Sequence, residues 1–384
     1  MWLDVIAAVA LATWIYLLCG RGGFWLCRER DDDVPAAPQQ WPRVTAVVPA
    51  RNEAECIAQS IGSLTRQDYP GAFAIVLVDD DSDDGTAKVA ERAVAGVGAG
   101  RFNLIASHGL APGWTGKLWA LRQGIEAANA EHKPPDYLLL TDADIVHTPD
   151  SVRALVARAE AGRFVLTSLM AKLRCESLPE RSHVPAFVFF FQMLFPFRVV
   201  NDPRNAVAGA AGGCMLVKAE ALAQAGGIES IRGALIDDCS LAEKMKAVGP
   251  IWLGLTERVV SIRRYEDWDD VRGLISRSAY AQLKYSPLLL IGSTLGMALT
   301  FLAGPLLAVF GEGVPRLLGV LTWALMALSF QPMLRFYRLS PLWGLALPAI
   351  AVAYMLYTVD SAYRFMRGQG GIWKGRVQAN ASGS

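Results

Sequence analysis

The hydrophobic and polar positions of the chain fall into three regimes. From Trp2 to Gly20 it is apolar apart from Asp4, close to the ~20 residues a helix needs to cross a bilayer. Between about Pro42 and Tyr285, short β-branched runs alternate with helical patterns. Residues 44–48, 74–78 and 137–140 predict strands, each ending in a polar cluster, and residues 53–65, 85–95 and 117–130 predict helices. Three apolar stretches then succeed one another, at 288–310, 317–334 and 342–359. The βαβα order predicts an α/β domain with a mostly parallel sheet and helices on both faces. Ligands of such sheets sit beyond the carboxyl ends of the strands, so the polar clusters are expected to converge on one edge. The division expected is an anchor at 1–20, a linker at 21–42, the α/β domain at 43–285, membrane segments at 286–361 and a basic tail at 362–384. No internal repeat is visible.

Composition sharpens this picture. Hydrophobic residues make up 53% of the 384 and the mean hydropathy is +0.28, an excess concentrated at the two ends. Lys+Arg (37) and Asp+Glu (36) cancel, so no basic field recommends nucleic acid as a partner. Six cysteines form no CxxC pair and no ligand spacing with the four histidines, against a disulfide framework or a zinc site and in keeping with a reducing compartment. The first apolar run has no basic n-region and no small-residue cleavage site before Arg21, which reads as an uncleaved anchor rather than a signal peptide. Arg21, Arg28 and Arg30 then place the segment after the anchor in the cytoplasm. At the other end, strict alternation puts the tail outside, whereas its Arg364, Arg367, Lys374 and Arg376 favour the inside. The middle stretch, interrupted by Gln331 and Pro332, reads as re-entrant or interfacial; the balance favours a cytoplasmic tail.

Four acidic clusters carry the candidate chemistry. Pro49-Ala50-Arg51-Asn52-Glu53 runs from a strand end into a helix, where Glu53 is a favourable dipole partner or a ligand contact. Asp79 to Asp84 holds five carboxylates in six positions. Part of it is turn and N-cap material, with Asp84 or Thr86 at the next helix start. Asp80, about where the strand ends, can instead accept the imide N–H of a uracil ring. Asp142-Ala143-Asp144 is a DxD: two carboxylates one residue apart at a strand end can share an octahedral Mg²⁺ or Mn²⁺ with a diphosphate. Asp237-Asp238 comes after a glycine-rich segment and heads a helical pattern. It is either a cap or the source of a general base.

Together these residues resemble glycosyltransferase family 2. Val48 to Glu53 resembles the family's first-strand motif, and Val78 to Thr86 its VDDxSxDGT segment, with Asp81 where glycine is usual. Gly116-Lys117-Leu118-Trp119-Ala120-Leu121 resembles its GKxxAL helix, Asp142 to Asp144 its DxD, and Asp237-Asp238 its Glu-Asp pair. The narrower likeness is to bacterial hopene-associated glycosyltransferases, related to ceramide glucosyltransferases. It rests on the membrane layout and the Trp373-Lys374-Gly375-Arg376 tail. The resemblance implies a GT-A fold and inversion by a single in-line displacement. It also implies a nucleotide-sugar donor, UDP-linked if Asp80 reads uracil, and a lipid acceptor. Asp142 and Asp144 would hold Mg²⁺ or Mn²⁺. Pro49, Arg51, Glu53, Asp80, Lys117, Asp142 and Arg277 would line the nucleotide-sugar site, and Asp238 would be the base. The expected location is the inner membrane, multi-pass, with the catalytic domain cytoplasmic.

The family's lipid-acceptor and polymerising members often carry (Q/R)xxRW before their C-terminal segments, and here Arg277-Ser278-Ala279-Tyr280-Ala281 keeps only the first Arg. That weakens a processive polysaccharide synthase; a catalytically inactive scaffold is disfavoured by the intact acids. Ala50 to Glu53 lacks the glycines of a nucleotidyltransferase loop, and the apolar stretches lack the internal charges of a transporter. Residues 183–200, rich in phenylalanine, read either as a buried core helix or as a helix in the headgroup region beside the active site.

Overall fold

The computed structural model describes residues 2–96, 98 and 100–371. They divide into an α/β unit (Glu29–Arg174 and Val199–Arg264) and a helical unit (Met1–Arg28, Cys175–Arg198 and Tyr265–Ser384, as far as described). The Trp373 to Arg376 motif and the charges of Lys374 and Arg376 lie outside the described residues.

The α/β unit is built on one eight-stranded sheet: β1 Val44–Ala50, β2 Phe73–Asp79, β3 Phe102–Ala106, β4 Tyr137–Thr141, β5 Ile145–His147, β6 Leu166–Leu173, β7 Cys214–Lys218 and β8 Ile251–Ser261. Their spatial order is β3-β2-β1-β4-β7-β6-β8-β5. β1 pairs in parallel with β2 and β4, β2 with β3, and β6 with β8. β7 runs against β4 and β6, and β5 against β8. This is the mostly parallel α/β sheet expected from the sequence. Every residue of β1 and β4 is buried, which is why these strands read as unbroken apolar runs rather than alternating ones.

Two details of the sheet position the site. The helix Gly116–Asn129 lies tight against β1 and β2, where a Cβ on Gly124 would stand 2.4 Å from Val47 Cγ1. That close approach sets Lys117, in the helix's first turn, at the carboxyl edge of the sheet. β7 begins at the edge where β4 ends, with Cys214 opposite Thr141, so the glycines before it arrive beside the DxD.

The helix expected from Glu53 starts instead at Ile57. Asn52 takes a left-handed φ of 51°, and residues 53–56 form a turn closed by Ile57 N–H on the Glu53 carbonyl at 2.8 Å. Glu53 is therefore not a first-turn dipole partner. The stretch expected to be a linker is partly tied down as well. Asp31 N–H donates to the Leu255 carbonyl at 3.0 Å, and buried Asp31 Oδ2 accepts from Thr256 Oγ1 at 2.7 Å. The α/β unit thus starts at Glu29, and it ends at Arg264 rather than near 285.

Among the described residues of the helical unit, four helices are long and apolar enough to cross a membrane: Trp2–Gly20, Pro287–Phe310, Gly313–Phe336 and Trp343–Met366. The middle C-terminal stretch, expected to be re-entrant or interfacial, has the same 24-residue length as its neighbours. Pro332 stands in the first turn of the closing segment Gln331–Phe336, where its missing N–H costs nothing. Gly304 and Gly319 let two of these helices touch at the backbone, since a Cβ on Gly319 would meet the Gly304 carbonyl oxygen at 2.7 Å. The phenylalanine-rich segment forms the helix Leu178–Leu194 inside this unit. Phe189 packs between Phe24 and Phe330 at 5.2 and 5.1 Å, and Phe190 between Phe301 and Tyr354 at 5.3 and 4.8 Å. Its aromatic face is covered by other helices of this unit, so it is buried in that unit's core.

Candidate active site

The first two acidic motifs lock into one loop pair at the ends of β1 and β2. Asn52 N–H donates to Ser82 Oγ at 3.0 Å, and Asp83 N–H returns to Asn52 Oδ1 at 3.0 Å. Glu53 N–H donates to Thr86 Oγ1 at 2.8 Å, and Ala54 N–H to Asp84 Oδ2 at 2.9 Å. Asp84 also accepts from Thr86 N–H at 2.9 Å, so this part of the acidic run is turn and cap material. Asp81 takes the left-handed φ of 58° that an Asp tolerates. Arg51 reaches across to the backbone carbonyls of Asp80 and Asp81. Asp80, just past the end of β2 and only 2% exposed, lies with its carboxylate 4.0 Å from Arg51 Nη1. Pro49 is buried within β1 opposite Val78.

The DxD lies in the turn between β4 and β5. Lys117 Nζ stands 2.9 Å from Asp142 Oδ1 and 3.0 Å from Asp237 Oδ2, bridging the third and fourth clusters. Burial works against the lysine's charge, but the two carboxylates outweigh it and hold its pKa above the ordinary value. Burial raises the Asp142 carboxyl, with help from the charges of Asp144 and Asp237 against the single lysine. Asp144 is 7% exposed, and its Oδ2 accepts from Arg263 Nε at 2.8 Å and Ser261 Oγ at 3.1 Å. Arg263 Nη2 also donates to Glu53 Oε1 at 2.6 Å.

Asp237 and Asp238 open the helix Asp237–Val248. Asp238 Oδ2 accepts the Gly212 N–H at 2.9 Å, and Oδ1 the Cys239 N–H at 2.7 Å. A Cβ on Gly212 would sit 3.4 Å from both Asp238 Oδ2 and Lys117 Nζ, so glycine is what lets the loop come this close. Burial, then the charge of Asp237, pushes Asp238 up to about 6, while Lys117 and the two backbone amides pull the other way. A carboxylate with a pKa in this range can take a proton near neutral pH.

The structure therefore gathers Arg51, Glu53, Asp80, Lys117, Asp142, Asp144 and Asp238 in the α/β unit, at or just beyond the ends of its strands. Arg277 belongs to the helical unit, where it is exposed at the end of the helix Trp268–Ser276. Sequence reasoning misses Arg263 and Ser261, whose only signal is a pair of arginines directly after a β-branched run. It also misses that Asp237 pairs with Lys117.

Hard oxygens from one or two carboxylates, completed by substrate phosphates and water, are what Mg²⁺ and Mn²⁺ take. Asp142 and Asp144 fit that demand. Their like charges crowd a buried turn, and Asp144 Oδ1 has no protein partner among the described residues. No group of three His, Cys, Asp or Glu side chains among the described residues forms a protein cage, so any cation there shares its shell with a ligand.

A mostly parallel sheet with a DxD after its fourth strand and acids along its carboxyl edge is the GT-A arrangement of nucleotide-sugar transferases. Residues 45–226 match the family model "Glycosyl transferase family 2". Among solved structures, the chain is similar to the mannosyltransferase PcManGT from Pyrobaculum calidifontis, in complex with GDP-Man and Mn²⁺, at 20% identity and a TM-score of 0.57. That match covers 93% of this chain and 99% of that one. A glucosyl-3-phosphoglycerate synthase from M. tuberculosis matches at 18% identity and a TM-score of 0.41, covering 66% and 87%. TarS 1-349 from S. aureus, in complex with UDP, matches at 16% and 0.40, covering 85% and 92%. No curated protein matches the chain.

Proposed function

We propose that this protein is a metal-dependent, inverting glycosyltransferase of the inner membrane that passes a sugar from a nucleotide-sugar to a lipid hydroxyl at the cytoplasmic face. The observation that carries the reading is Asp238, a half-buried acid with a pKa of about 6, linked through the Asp237–Lys117 ion pair to Asp142 of the DxD. A base poised near neutral pH thus stands one lysine away from the acids suited to the donor.

In this reading Asp80 accepts the imide N–H of the base, with Arg51 fixing its loop, and Asp142 and Asp144 hold Mg²⁺ or Mn²⁺. When bound, the cation neutralises charge on the departing diphosphate. Asp238 removes the proton of the acceptor hydroxyl as its oxygen bonds to the anomeric carbon and the bond to the diphosphate breaks on the opposite side. The four apolar helices support a membrane location, and the resemblance to hopene-associated enzymes supports a hopanoid or related hydroxylated lipid as acceptor. PcManGT, which shares the fold, is described with GDP-Man and Mn²⁺, so the test includes guanosine as well as uridine donors.

Purified full-length protein is incubated with radiolabelled UDP- and GDP-sugars, a total lipid extract and Mn²⁺ or Mg²⁺. Label should move into an organic-soluble product, stop on chelation and return on adding metal. Transfer undiminished in excess chelator overturns the metal role, and no transfer with any donor overturns the enzyme.

A further inference from the structure

We propose that Arg263 is a positioning residue of the donor site: it holds Glu53 and Asp144 together and selects which oxygen of Asp144 is presented to a divalent cation. The inference rests on the proposed metal-dependent reading and deepens it.

Arg263 leaves the sheet two residues after β8 ends and splits its guanidinium between two chain-distant carboxylates. Nε donates to Asp144 Oδ2 at 2.8 Å and Nη2 to Glu53 Oε1 at 2.6 Å. The Nε and Nη2 edge of an arginine ordinarily grips both oxygens of one carboxylate. Here its fixed planar spacing bridges the loop after β1 to the turn after β4. Lysine, a single point charge on a flexible stem, carries no such spacing.

Both acids are 7% exposed, so their oxygens depend on protein donors for hydrogen bonds. At Asp144 the donors are one-sided. Arg263 Nε and Ser261 Oγ both take Oδ2, and the Asp144 backbone carbonyl accepts from Ile262 N–H at 3.0 Å, which fixes the turn to the end of β8. Oδ1 keeps no protein partner among the described residues and becomes the oxygen offered to a cation. Groups that orient metal-binding carboxylates in this way typically change metal affinity by about 10–100-fold when removed.

The test measures Mn²⁺ binding by electron paramagnetic resonance on the full-length protein in detergent, with UDP and, separately, GDP present, alongside thermal unfolding. Arg263→Lys keeps the charge and loses the fork. It should weaken Mn²⁺ binding by about 10–100-fold with the unfolding temperature nearly unchanged. Ser261→Ala removes the second donor to Oδ2 and should weaken binding in the same direction by a smaller factor, which keeps the idea testable if Arg263 variants fold poorly. In transfer assays, the apparent KM for metal should rise more in Arg263→Lys than kcat falls. Wild-type Mn²⁺ affinity in both Arg263→Lys and Ser261→Ala overturns the positioning role while leaving the metal reading intact. Absence of Mn²⁺ binding by the unmutated protein with either nucleotide overturns the metal reading itself, and the role of Arg263 with it.

Discussion

Lys117 Nζ lies 2.9 Å from Asp142 Oδ1, joining the first turn of one helix to the turn after β4, and its charge also opposes the rise in the pKa of Asp238. Lys117→Met should therefore move Asp238 above its value of about 6, shifting the acidic limb of kcat/KM to higher pH. The substitution also leaves Asp142 and Asp237 without their shared cation. The stability loss should fall below the roughly 3–5 kcal/mol of a fully buried pair, because the Asp142 side chain is 35% exposed. A pH–rate profile and thermal unfolding check the two effects, and an unmoved acidic limb would remove Lys117 from the electrostatics of the base.

Asp238→Asn should leave nucleotide-sugar affinity nearly unchanged and lower kcat by about 10²–10⁴-fold, as general-base loss does. The acidic limb near pH 6 should vanish with it. The folded pKa of Asp238 is raised above the ordinary 3.8, so its ionisation opposes folding: its contribution is most favourable below about pH 4 and is lost as pH rises through about 6. An asparagine amide sets its NH2 against one of the two backbone N–H groups that Asp238 accepts, so the variant should lose stability, but less at neutral pH than at pH 4. Asp237→Asn is a different case, because it removes a partner of Lys117 and should weaken donor binding. Equal, mild kinetic effects at both positions would mean that the pair is structural.

His147 predicts an acid-labile stitch. Its Nε2 lies 3.1 Å from Thr141 Oγ1, its Nδ1 3.2 Å from Ser151 Oγ, and burial lowers its pKa to about 4. A lowered pKa means that the native state binds fewer protons than the unfolded chain between about pH 6.5 and 4. The stability that the neutral ring contributes is present above pH 6.5 and is lost as pH falls through that window. His147→Gln should flatten the dependence of unfolding temperature on pH over this range; an unchanged slope would assign the acid sensitivity elsewhere.

Orientation is checked with a reporter fused after Gln40. Arg21, Arg28 and Arg30 come directly after the first apolar helix, and in the proposed topology, by the positive-inside rule, they face the cytoplasm. The reporter should behave as cytoplasmic, and a signal from the other side would reverse the proposed topology.

Local pattern along the chain suffices for the α/β order, the strand-end acids and the four apolar helices. Each of these is written in periodicity or in residues adjacent in sequence. β1, β2 and β4 are legible as apolar runs because they are buried in the sheet. The antiparallel β7 is not legible, since strand direction depends on which neighbours pair. What the acids do to one another is set by long-range packing alone. Arg263 lies 119 residues from Asp144 and 210 from Glu53, a separation no local pattern spans. Asp237 reads as a helix-start carboxylate until the helix carrying Lys117 closes on the sheet at Gly124. The pKa of Asp238 likewise comes from burial and from a neighbour's charge. Both arise only when distant segments exclude water around one sheet edge, so they belong to the fold rather than to any stretch of chain.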